Sequence, residues 1–196
     1  RPAMADGEGS DKSCAGLPTY AQLKEAMITA AAPNNPNIVG PNRGFGLDMW
    51  GTVVNRDGVV CEVVFTGGGR GDQWPGSRVI SAQKANTANA FSLNHLALST
   101  ANLYSLVQPG ASLFGLQESN PVATDVAYQG PSSRYGQAND PMVGSKIGGV
   151  NVFGGGLALY RNGAIIGALG VSGDTSCADH NIAWDARKIL NMNVTP

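Results

Sequence analysis

The chain has 196 residues, 42% of them hydrophobic, with 13 basic and 14 acidic side chains and a formal net charge of −1. That is the size of one large domain or a domain with long loops, with enough apolar content for a sizeable core. The charges form no basic patch, which argues against a nucleic-acid partner, and no apolar run approaches the ~18 residues of a membrane span.

The opening residues, RPAMADGEGSDKS, are polar and lack the apolar stretch of a signal peptide. Residues 1–16 therefore read as a flexible lead-in and 17–196 as one domain. Thr19 and Gln22 form a capping pair, and Tyr20, Leu23, Met27 and Ile28 line the face of a helix ending near Ala31. A loop with three prolines spans 33–41. Residues 47–54 and 59–66 alternate as strands around the turn Asn55-Arg56-Asp57-Gly58.

The glycine-rich loop 67–76 leads to Ser77, which opens a long helix. Val79, Ile80, Ala82, Ala85, Ala88 and Phe91 are its inner positions. A second helical stretch runs over 99–107. Residues 109–147 form a long irregular insertion carrying Leu113, Phe114, Leu116, Val122, Val126, Tyr128 and Tyr135. A loop that long is usually functional, and its apolar content must cover a pocket or meet another subunit.

Two apolar runs, Gly156 to Arg161 and Ala164 to Ser172, flank Asn162-Gly163, the signature of a type I′ hairpin. Ser176 with Asp179 marks the start of a last helix, whose inner face is Ile182, Ala186, Ile189 and Leu190. Antiparallel hairpins with separate helices give an α+β fold: helices on one antiparallel sheet.

Of the three cysteines, Cys61 lies mid-strand and reads as a small buried apolar residue. Cys14 and Cys177 lie at element ends, where a bridge would tie the terminal helices together in an oxidising compartment. The alternative is three reduced thiols. No spacing resembles a zinc site, a nucleophile elbow or a phosphate-binding loop. Arg70-Gly71-Asp72 and the glycosylation acceptor Asn193-Val194-Thr195 read as incidental.

The stretch GGLALYRNGAIIGALGVSGDTSCADHNIA, with AQKANTA at 82–88 and the hairpin at 53–60, resembles the GlcG-like haem-binding or haem-degrading family over roughly residues 19–190. The resemblance implies a profilin-like layout, a central antiparallel sheet flanked by helices. It also implies a homo-oligomer, a dimer or a multiple of dimers, and a periplasmic or secreted location. The implied ligand is a flat tetrapyrrole held between sheet and helix: haem, or a corrinoid as in the fold's cobalamin-enzyme members. The loops 67–76 and 109–147 are longer than in short members and flank the implied pocket.

On that resemblance Lys84 faces the pocket and pairs with a propionate, or is a solvated helical lysine. Thr87 bonds the ligand, or its own helix carbonyl. Phe153 stacks on the ligand while Gly155 and Gly156 let it approach the backbone. Gly154 reads better as a chain reversal. Ser172, Gly173, Asp174 and Thr175 precede a helix N-terminus suited to an anion, unless they simply cap it. His180 and His95, and more weakly Met142, are candidate iron ligands, against the ordinary reading of a lone histidine as structural or solvated. A second function is an enzyme acting on a small organic substrate in the same pocket, with Lys84, Asp174 and Asp179 as its polar groups and the long loops as a lid.

Overall fold

The structure, a computed structural model, describes residues 14–193. Most of the flexible lead-in expected at 1–16 and the end of the Asn193-Val194-Thr195 acceptor therefore lie outside the described residues. Helix α1 (Tyr20–Ala30) starts at Thr19, whose side chain and that of Gln22 cap each other's backbone N–H as a full capping box. Strands β1 (Trp50–Asn55) and β2 (Val60–Phe65) form the first hairpin. Helix α2 (Ser77–Phe91) follows. The stretch expected as one helix over 99–107 splits into a single turn, α3 (Thr100–Leu103), and a 3₁₀ turn, Ser105–Val107. The insertion holds one further turn, α4 (Thr124–Ala127). Strands β3 (Gly156–Arg161) and β4 (Ala164–Ser172) and helix α5 (Ser176–Ile189) complete the order.

The four strands form one antiparallel sheet in the order β2-β1-β4-β3, so the fold is α+β as expected. The β3–β4 turn has φ of +51° at Asn162 and +78° at Gly163, the pair of positive values that a type I′ turn needs. Side chains alternate between two cores. Val53, Leu157, Leu159, Leu169 and Val171 face α1 and α5, through Leu23, Met27, Ile182 and Ala186. Trp50, Val54, Val63 and Ala168 face α2 through Val79, Ala82, Ala85 and Ala88.

Helix α2 lies very close to the sheet because small residues meet on both sides. A Cβ at Gly170 would collide with Ser81 O, and one at Gly156 would sit 2.5 Å from Lys84 O. Gly170 of β4 and Gly156 of β3 thus face the AQKANTA segment of α2 in one close helix–sheet contact.

The cysteine expectation is overturned. The disulfide joins Cys14 to Cys61, with Cα atoms 5.7 Å apart, and Cys177 is free and exposed. The segment before α1 lies against the start of β2, where Cys14 meets Cys61. Cys177 sits in the first turn of α5 with its side chain outward.

The insertion does not stand free. Ala127, Met142 and Ile147 enter the α2-side core, with Val122, Val126 and Tyr135 packed against it. Val60 N donates to Ser145 O and Gly144 N donates to Val60 O, so the segment pairs along the outer edge of β2. Asp140, 2% exposed, receives the Arg78 guanidinium, including Nε at 2.9 Å, and Arg78 also donates to Ala127 O. That guanidinium lies 3.6 Å from the centre of the Tyr135 ring. Leu113 and Leu116 pack near Val150 and Val152. Most of the insertion's apolar content is therefore spent on its own chain, while Phe114 and Tyr128 remain exposed.

Candidate functional site

Helix α5 carries the candidate site on its outer face. The helix begins one residue earlier than the Ser176–Asp179 pairing implied: Thr175 is the N-cap, and its side chain accepts from Ala178 N. From there His180, Trp184, Arg187 and Lys188 fall at spacings of four, three and one, which place them along one stripe. This stripe forms one wall of a cleft of about 630 Å³. The segment Ala97, Leu98, Ser99 and Asn102 forms the other wall, and Leu157 and Ala158 of the edge strand β3 form the floor. The volume lies within the ~300–1,000 Å³ range of small-ligand sites.

The polar groups here are under-used by the protein. His180 Nδ1 is buried without a hydrogen-bond partner among the described residues. Burial, and then the positive charges of Arg187 and Lys84, push the His180 imidazole below its usual pKa. It is held in the neutral form, which is the form that ligates a metal. The Trp184 indole lies 6.3 Å from the His180 ring, and the Arg187 guanidinium lies 4.7 Å from the Trp184 ring. Arg187 is 4% exposed. Its Nη1 donates to Ala158 O at 3.0 Å, and its Nε has no partner.

The residues expected at the site divide sharply. Lys84 is 1% exposed and neither solvated nor open to a ligand. Its Nζ donates to Asp179 Oδ2 at 2.7 Å and to Val171 O at 3.0 Å. Desolvation lowers the Lys84 pKa, and burial pushes the Asp179 carboxyl up to about 6. Asp179 also accepts from Asp174 N, so the pair locks α2, β4 and the start of α5 together. Thr87 donates to Gln83 O and accepts from Asn151 N.

A Cβ at Gly155 (φ +122°) would collide with Val171 O, so the space beside the glycine pair Gly155-Gly156 is filled by the protein's own backbone. Ser172 is buried at the end of β4. Gly173 packs against Asp48 and Met49. The Asp174 carboxylate accepts from Phe45 N, Leu47 N and Thr175 N. The α5 entry is thus organised by the chain's own carboxylate and its Thr175 cap.

Phe153 is half-exposed beside Tyr104, with ring centres 6.0 Å apart. Its neighbour Gly154 donates to Ser176 Oγ, and a Cβ added at Gly154 would press on the His180 side chain. His95 lies past the end of α2 in a separate groove with Arg56, Leu93 and Ile165. Met142 is fully buried in the core. Of the expected ligands, the structure puts His180 in the wall of the cleft, while Phe153 is not one of its lining residues. Trp184 and Arg187 were missed; their spacing from His180 along the helix was the available signal.

Residues 46–188 match the family model described as "Haem degrading protein HbpS-like". The chain is 29% identical over 136 residues to the corrinoid adenosyltransferase PduO of Citrobacter freundii, an alignment covering 68% of this chain and 32% of that protein. The chain thus spans about a third of the length of that relative. A crystal structure of a PduOC–haem complex superposes with a TM-score of 0.57 at 24% identity, covering 90% of this chain and 94% of the other. The Klebsiella pneumoniae protein ORFY superposes with a TM-score of 0.55 at 25% identity, over 90% and 92%. The likeness to the PduOC structure, at 24% identity, bears on the fold alone. The match over residues 46–188, which contains all four strands and the cleft-bearing stripe of α5, establishes that this chain belongs to the HbpS-like haem-degrading protein family.

Proposed function

We propose that the protein binds haem or a closely related tetrapyrrole in the cleft between α5 and the segment 97–102, with His180 turned to the metal. The observation that carries this reading is a partly buried histidine, its imidazole pushed toward the neutral form, lining an open and mostly apolar cleft, in a family described as haem-degrading. The residues fit such a group: His180 for the metal, and Trp184 and Leu98 for a macrocycle face. The bound group would supply the iron chemistry; the chain supplies a neutral ligand and apolar walls. A solved PduOC–haem complex with the same fold is in keeping with this reading, and the corrinoid relation of PduO makes a corrinoid the related alternative.

The test is a titration with haemin followed through its Soret band. Saturable binding at micromolar haemin that is lost or spectrally shifted in His180→Ala supports the reading. No saturable shift in the native protein overturns it.

The enzyme alternative loses its proposed polar groups, since Lys84, Asp179 and Asp174 are all engaged within the fold. The same proposal places the protein outside the cytoplasm, periplasmic or secreted. The Cys14–Cys61 bridge supports an oxidising compartment, and thiol alkylation of protein from its native source would check it. Assembly as a closed dimer or a multiple of dimers is part of the proposal, with exposed Phe114 and Tyr128 as contact candidates. Light scattering reads it directly.

A further inference from the structure

Helix α5 sorts its charges by face. Its acids are turned away from the cleft: Asp179 pairs with Lys84, and Asp185 accepts from Asn35 and Asn37. Its bases Arg187 and Lys188 line the cleft. Among the described residues, neither has a carboxylate within ion-pair distance, whereas Arg78 and Lys84, the other deeply buried cations, each have one. Arg187 is 4% exposed.

A guanidinium taken that far out of water is costly without a counter-charge. Its bond to Ala158 O engages one of five donors, and that acceptor is neutral. The Trp184 ring face offers a further weak attraction. Neither neutralises the charge. An Arg in the last turn of a helix also meets the favourable end of the helix dipole, but that is met equally well with the side chain in solvent, as Lys188 is.

From this unpaired, buried guanidinium beside His180 and Trp184, we infer that the Arg187–Lys188 end of the cleft is a carboxylate-recognition site, which selects ligands by an acidic group on a flat apolar body. The inference rests on the proposed binding cleft and adds the chemistry of its charged end. Arg187 meets the carboxylate with the planar fork suited to it, and Lys188 adds a point charge at the rim. For a tetrapyrrole this assigns the propionate side chains to the C-terminal turn of α5 and the metal to its N-terminal half.

The test needs no iron. Iron-free protoporphyrin IX and its dimethyl ester are titrated in parallel into the full chain and followed by porphyrin fluorescence. The free acid binds tighter than the ester by on the order of tenfold or more, the usual size of charge-assisted bonds. Arg187→Gln removes the preference, and Arg187→Lys restores part of it. Equal binding of acid and ester to the native protein overturns the inference while leaving the tetrapyrrole reading intact. So does an acid preference that survives Arg187→Gln in a protein with native circular dichroism.

Should neither porphyrin bind, the tetrapyrrole reading fails by itself. The inference is then read with 2-naphthoate against 2-naphthamide, following Trp184 fluorescence with Trp184→Phe as the blank. Saturable quenching by the acid alone, absent in Arg187→Gln, upholds it, and no response to the acid overturns it.

Discussion

Lys84 and Arg187 are two buried cations that meet the same helix, and they carry opposite messages. Lys84 has everything a buried charge needs: a carboxylate at 2.7 Å and a carbonyl at 3.0 Å. Arg187 has one carbonyl, an aromatic face and an unpartnered Nε. The first arrangement closes on itself and holds α2, β4 and α5 together. The second is complete only with an anion from outside. Burial alone therefore does not mark a functional cation; burial without a counter-charge, at a cleft, does.

The comparison breaks most visibly in stability. Lys84→Ala should cost about 3–5 kcal/mol, because it leaves the Asp179 carboxyl buried and unpaired. Arg187→Gln should cost much less, since it leaves only the neutral Ala158 carbonyl, and no charge, without its partner. Urea unfolding of the two variants checks this, and equal losses would erase the distinction. A similar contrast separates the cysteines. Cys14→Ser removes the bridge to Cys61 and should cost about 2–5 kcal/mol. Cys177→Ser, at an exposed site, should stay within about 0.5 kcal/mol.

The pair should also leave a signature in pH. The Asp179 carboxyl is raised from 3.8 to about 6 in the fold, chiefly by burial. Between those values the native state holds more protons than the unfolded chain. Its contribution is thus full below pH 3.8 and is lost as pH rises through about 6. The stability of the native protein relative to Asp179→Asn should fall across that window. A flat difference would mean that Lys84 cancels the burial.

The smallest effect concerns His180. Its imidazole is depressed by burial and by Arg187 and Lys84, so its NMR titration should fall below the ordinary histidine range. The titration should move upward in Arg187→Gln, which removes one of the depressing charges.

Much of the fold was legible. The Thr19–Gln22 box, the Asn162-Gly163 turn, the four strands and the inner face Val79, Ala82, Ala85, Ala88 all follow from local chemistry, and all are present. What was not legible depends on which elements meet. Cys61 looks like lone core in the sequence because its partner Cys14 lies 47 residues away, a pairing that no local pattern encodes. Gly155 and Gly156 were read as ligand-facing, since a glycine marks close approach without saying what approaches; here it is the chain's own backbone. Lys84 drew attention by standing in a matched motif, and its acid lay 95 residues away. Arg187 carries no local signal of its burial, because a basic residue in a last helical turn is ordinarily solvated, and here it packs on the edge strand β3 through Ala158 O.

A crystal structure of the protein loaded with haemin tests the account most directly. The account predicts the macrocycle between α5 and the segment 97–102, His180 at the metal, the propionates within hydrogen-bond distance of Arg187, and the Lys84–Asp179 pair undisturbed. A macrocycle bound elsewhere, or one whose propionate reaches Lys84 with the Asp179 pair opened, would contradict it.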